Sequence, residues 1–87
     1  MLFVSLYTIP SNNRNQTQER FKKAGGKPPA GVKMIGRWHS LAGGRGVTLL
    51  EANDAQAVAQ WAQEWTDLVH FDIYPVIDDA GFAKLLT

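Results

Sequence analysis

The segment Gly36-Arg37-Trp38-His39, followed after three residues by Gly43-Gly44-Arg45-Gly46, sets the strongest constraint on this chain. Two β-favouring runs, Val32–Leu41 and Gly46–Ala52, meet at those glycines, and Gly43-Gly44 supplies the positive φ angles that a hairpin turn requires. An antiparallel hairpin therefore occupies the middle of the sequence, and the rest must fold around it. Its first arm sets an Arg, a Trp and a His side by side, which points to a ligand site or a tightly specified sheet interface.

The flanks have their own periodicities. Leu2–Thr8 is apolar and β-favouring and ends just before Pro10, so it reads as a strand. Ser11-Asn12-Asn13 offers side-chain oxygens to cap a helix over Arg14–Ala24, with Thr17, Phe21 and Ala24 inward and Gly25-Gly26 as its stop. Asn53-Asp54 caps a second helix from Ala55 to about Val69, where Val58, Trp61, Ala62, Trp65 and Leu68 recur at helical spacing. Phe71–Val76 is a fourth strand, and Pro75 suits an edge position. Asp78 or Asp79 opens a short last helix carrying Phe82, Leu85 and Leu86. The order βαββαβ in a single domain over residues 1–87 predicts an α+β, ferredoxin-like split fold. Such a fold is a four-stranded antiparallel sheet with helices on one face, here plus a short C-terminal helix.

Alternation then divides the strands into faces. Strand Val32–Leu41 splits into Val32, Met34, Gly36 and Trp38 against Lys33, Ile35, Arg37 and His39. With the apolar sets sent to the helices, the uncovered face is predicted to hold Ser5, Tyr7, Arg37, His39, Asp72 and Tyr74. The register of the third strand stays open: one hairpin length puts Val47, Leu49 and Glu51 on that face, the other Thr48 and Leu50.

Composition bounds the function classes. The chain has 87 residues, 45% apolar and 20% charged, which is globular; no cysteine is present, which rules out disulfides and thiolate metal sites. The formal charge of +1 hides a net +7 over residues 1–46 and −6 over residues 47–87. Mutual attraction of the halves and an anion-binding basic half both account for that split. Met1–Ile9 lacks a basic leader and is far too short to span a bilayer, so a soluble, cytoplasmic protein with no membrane partner is expected. His39 and His70 are the only histidines and belong to no ligand cluster, so no metal site is predicted. Val47, Leu49 and Glu51 stand where an RNA-recognition motif carries stacking aromatics, which argues against nucleic acid. No nucleotide fingerprint or nucleophilic triad is present, and no cofactor is expected.

Several segments occur together here: Gly31-Val32-Lys33-Met34-Ile35-Gly36-Arg37-Trp38-His39, the glycine turn, Glu51-Ala52-Asn53-Asp54, Trp61–Leu68 and Pro75-Val76. In this the whole chain resembles an uncharacterised family of small bacterial proteins, a domain of unknown function. It is similar in turn to the dimeric α+β barrel superfamily, with its antibiotic-biosynthesis-monooxygenase-like, muconolactone-isomerase-like and stress-responsive members. The resemblance implies two ferredoxin-like sheets packed face to face in a homodimer, and it transfers no catalytic residue.

Two roles remain open for the candidate residues. Arg37, His39 and Glu51 could form a catalytic set, with His39 as acid or base and Arg37 holding an enolate or carboxylate. The other role is an interface or packing network in which Arg37 pairs with Glu51 and His39 caps a backbone group. Trp38, Trp61 and Trp65, with Phe21 and Tyr7, are the candidates to line a cavity between sheet and helices. The leading expectation is a small soluble homodimer that binds a small apolar or aromatic molecule, or serves an accessory role. The alternative is a cofactor-independent monooxygenase-like or isomerase-like enzyme using His39 and Arg37.

Overall fold

Four extended segments and two amphipathic helices assemble as the periodicities require in the computed structural model, which describes residues 1–86. The strands are β1 (Leu2–Thr8), β2 (Val32–His39), β3 (Arg45–Ala52) and β4 (His70–Val76); the helices are α1 (Arg14–Ala24), α2 (Ala55–Gln63) and α3 (Asp79–Ala83). They form one sheet in the order β2-β3-β1-β4 with every neighbouring pair antiparallel. This is the ferredoxin-like α+β arrangement expected from the element order. Pro75 lies on the edge strand β4, where its missing N–H leaves no central ladder bond unmade.

The two faces of the sheet are the reverse of the expected ones over β1 and much of β2. Phe3, Ser5, Thr48, Leu50 and Ala52 are buried beneath the helices, whereas Leu2, Val4 and Leu6 turn to the uncovered side. The cause in β2 is a β-bulge: the register runs Met34↔Leu50 and then Gly36↔Leu49, so Ile35 has no partner. One extra residue inverts the alternation beyond it. Val32 and Met34 therefore share the helix side with Arg37 and His39, and Trp38 faces away. In β4 the expected division holds, with Phe71 and Ile73 toward the helices and Asp72 and Tyr74 outward.

The core is small. Phe3, Val32, Leu50, Ala52 and Val58 form it, with Met34, Ala57, Trp61 and Ile73 packed at its margin. Helix α2 starts at Asp54, whose carboxylate accepts the Gln56 N–H at 2.9 Å. It stops six residues short of the predicted Val69. Beyond Gln63 the backbone tightens to bonds such as Trp65 N–H to Ala62 O (2.9 Å) and Leu68 N–H to Trp65 O (3.0 Å). Groups from the first helical region take carbonyls from this turn: Arg20 donates to Glu64 O at 3.2 Å and Asn13 Nδ2 to Leu68 O at 3.0 Å. Asn13 is thus a tether and not the side-chain cap expected of it, since a 3-10 turn over Ser11–Asn13 leads into α1 with no side-chain cap. Gly25, at φ 76°, closes α1 in the left-handed region, and Gly43, at φ 81°, makes the hairpin turn.

Candidate functional site

Strand register alone sets out the floor of a cavity. Reading across the sheet from β2 to β4, one row is Arg37, Thr48, Ser5 and Ile73, and the next is His39, Gly46, Tyr7 and Phe71. All but Gly46 line a cavity of about 520 Å³ between the sheet and the helices. Phe21 from α1 and Val58, Trp61 and Ala62 from α2, with Trp65 just beyond it, form its apolar walls. The volume and the mostly apolar lining are those of small-molecule sites.

Within this cavity, Tyr7 and His39 meet. The Tyr7 hydroxyl contacts His39 Nδ1 across β3, and the two rings stand edge to face with centroids 5.7 Å apart. Gly46 lies between them in the row, and its lack of a side chain is what permits the contact. A Cβ there would overlap the Tyr7 ring and stand 2.5 Å from the Trp38 carbonyl oxygen. Burial raises the Tyr7 phenol above its ordinary value, against a smaller downward pull from the Arg37 charge.

Arg37 reaches from β2 to the end of α1. It donates to Gly26 O at 2.8 Å and to Gly25 O at 3.3 Å, and its guanidinium lies 4.8 Å from the centroid of the Phe21 ring. Carbonyls at a helix C-terminus carry partial negative charge, so a cation is stabilised there. Burial nevertheless lowers the Arg37 value, with Tyr7 partly offsetting it. Gly26 is as constrained as Gly46: a Cβ would lie 2.7 Å from Phe21 and 2.9 Å from Arg37.

Of the residues the sequence singles out, Arg37, His39, Tyr7, Trp61 and Trp65 all line the cavity, with Phe21 beside them. Two do not. Glu51 is in register with Leu2 and Lys33, exposed on the opposite face, so it partners neither Arg37 nor His39. Trp38 is also on that face, 58% exposed, with its indole lying over Gly36. The bulge at Ile35 moves Trp38 there, and the buried neighbours Thr48 and Leu50 fix Glu51 outward. Ser5, Thr48 and Lys22 are lining residues that sequence reasoning did not single out as ligands. The pairing Ser5↔Thr48 places both hydroxyls at the middle of the floor, a signal that exists only once the register of β3 is known.

Among the described residues, no three or more His, Cys, Asp or Glu are grouped to hold a metal ion. No helix among them is long and apolar enough to cross a membrane.

Two solved structures are similar to this chain. Protein Rv0793 from Mycobacterium tuberculosis matches with a TM-score of 0.53 at 14% identity, over 91% of this chain and 97% of its own. A protein from Deinococcus radiodurans, described as a candidate antibiotic biosynthesis monooxygenase, matches at TM-score 0.47 and 10% identity, over 90% of this chain and 94% of its own. At such identities the first likeness speaks for the fold alone. No curated protein matches the chain. The family model of a domain of unknown function, DUF3303, matches residues 1–87, and this chain belongs to that family.

Proposed function

We propose that this protein is a small cytoplasmic homodimer whose cavity between sheet and helices takes a small apolar or aromatic molecule, in a binding or accessory role without a cofactor. The observation that carries the reading is the cavity itself. It has about 520 Å³ of space, aromatic walls from both helices, and polar groups on the sheet floor, with Thr17, Gln18 and Lys22 of α1 at its rim. A packing network would fill that space; here the Ser5 and Thr48 side chains face it. The uncovered side of the sheet, with Trp38, Leu6 and Tyr74 exposed, supports pairing with a second copy.

One observation favours a second reading, an acid–base enzyme. Tyr7 meets His39 at Nδ1 and leaves Nε2 to a ligand; in the tautomer in which the phenol donates, Nε2 carries the ring proton. Such a pair can move a proton without metal or cofactor.

Thermal stability and tryptophan fluorescence measured with 2-naphthol and 2-naphthamide test the cavity. Both probes are expected to raise Tm in the wild type, and Ala62→Phe, which fills the cavity from α2, is expected to abolish the response while leaving the fold intact. An unshifted Tm with every aromatic probe at millimolar concentration removes the reading. His39→Ala and Tyr7→Phe are expected to retain binding; conversion of a bound probe that both variants lose would favour the enzyme.

A further inference from the structure

The charge around the cavity is one-sided. The chain carries eight acidic residues, and none of them lines the cavity, whereas Arg37 and Lys22 do. Elsewhere on α1 two cations have acidic partners: Arg20 holds Asp67 in a bidentate pair at 2.8 Å, and Lys23 stands 3.6 Å from Glu19, while Arg14 donates to the Asn15 side-chain oxygen at 3.2 Å. Lys22, on the cavity side of the same helix, faces no carboxylate across the lining. Arg37 donates two hydrogen bonds, both to backbone carbonyls of Gly25 and Gly26. A guanidinium has five N–H donors, which leaves three without a described protein acceptor. The floor grades in one direction as well. Along its central row a guanidinium and two hydroxyls, from Arg37, Thr48 and Ser5, give way to Ile73 across three strand spacings, roughly 14 Å.

From this we infer that the ligand is an anion with an apolar body, an aromatic or aliphatic monocarboxylate. Its carboxylate sits at the β2 edge against Arg37, Thr48 and Lys22, and its body lies toward Trp61, Trp65 and Ile73. The inference rests on the cavity reading above and adds the sign of the ligand's charge and its direction in the site. A carboxylate supplies the counter-charge that the lining lacks, and it suits the planar fork of an arginine. A dication or a polyol finds neither an acid nor a sufficient polar surface here.

Titration calorimetry with 2-naphthoate and its neutral isostere 2-naphthamide decides it. The carboxylate is expected to bind about tenfold tighter than the amide, as a charge-assisted contact to Arg37 implies. Lys22→Glu, an exposed change, is expected to weaken 2-naphthoate about threefold and to narrow its advantage over 2-naphthamide. Arg37→Lys keeps a cation in place and is expected to retain the preference, which Arg37→Gln abolishes. An amide that binds as tightly as the carboxylate overturns the inference and leaves the cavity reading standing. Failure of both probes to bind overturns the two together.

Discussion

Gly46 shows how one missing side chain can organise a site. Tyr7 on β1 reaches His39 on β2 only because β3 presents no Cβ between them. Gly46→Ala must push the ring away or shift the backbone near the Trp38 carbonyl, and overpacking of that kind costs about 1–3 kcal/mol. On the other face, Gly36→Ala meets only the tip of the exposed Trp38 indole, which can swing aside, so its cost is expected to stay under about 1 kcal/mol. Chemical denaturation of the two variants measures the difference, and equal losses would show that Gly46 does not hold Tyr7. An ultraviolet titration adds a second readout. Burial holds the Tyr7 phenol above its ordinary range, so its neutral form is favoured by folding. Its contribution to stability is complete below about pH 10 and is lost as pH rises through the higher folded value. In Gly46→Ala the Tyr7 ionisation is expected to fall back toward about pH 10. The sequence makes Arg37, His39 and Tyr7 candidates by residue type and shared alternation, and the fold gathers them. It does not disclose that Gly46 is the clearance they need, because that role depends on which residues lie opposite across the sheet.

At the scale of elements, local chemistry and tertiary competition divide the outcome. The bounds of β1 and α1 follow from apolar alternation and from Gly25, and both come out as the residues imply. Two features do not. The bulge at Ile35 leaves no mark in an alternating run, yet it exchanges the faces of Arg37 and Trp38, bringing Arg37 to the helix side and sending Trp38 outward. The helical stripe of α2 continues through Trp65 and Leu68, while the backbone leaves the α-helix at Gln63 and Arg20 and Asn13 take carbonyls from the turn that follows. Arg20 also clamps Asp67 with two 2.8 Å contacts and lies 5.5 Å from the centroid of the Trp65 ring. The hydrogen bond from Arg20 holds the Asp67 carboxyl below its ordinary range. The sign follows directly: the clamp contributes above the unfolded carboxylate value, near pH 4, and its contribution is lost as pH falls through the depressed folded value. Stability measured from pH 7 down to pH 2 is therefore expected to fall less steeply in Asp67→Asn than in the wild type. Parallel curves would show that the clamp is idle. Both partners are exposed, so the effect is expected to shrink at high salt.

The whole molecule exposes more than its mass warrants. A compact 9.6 kDa monomer has a surface of about 5,100 Å², whereas this one exposes 6240 Å². The radius of gyration tells the same story, 14.2 Å against about 12 Å for a compact chain of this length. The excess, about 1,100 Å², is more than the ~800 Å² that each partner gives to a standard interface. It has an apolar character. Leu6, Trp38 and Tyr74 are exposed on the uncovered sheet face, and Phe82, Leu85 and Leu86 are 53%, 69% and 72% exposed along the C-terminal segment. Charges on that face are few and mixed, with Lys33 in register with Glu51 and Asp72 apart from them on β4, beyond β1. Two copies of this face can therefore meet without strong like-charge repulsion. The proposed second copy would account for both the bare sheet and the elongated shape of 49 × 27 × 17 Å. Sedimentation equilibrium is expected to find a dimer at 10 μM and below, a concentration range set on the order of a micromolar interface. Leu6→Lys with Trp38→Lys is expected to give a monomer that keeps its circular dichroism spectrum, because neither residue belongs to the core. It is expected to bind 2-naphthamide as the parent does, since the cavity lies on the other side of the sheet. A wild-type monomer at that concentration would mean that the sheet face is meant for some other partner, and a dimer unchanged by the double variant would place the contact on the C-terminal segment instead.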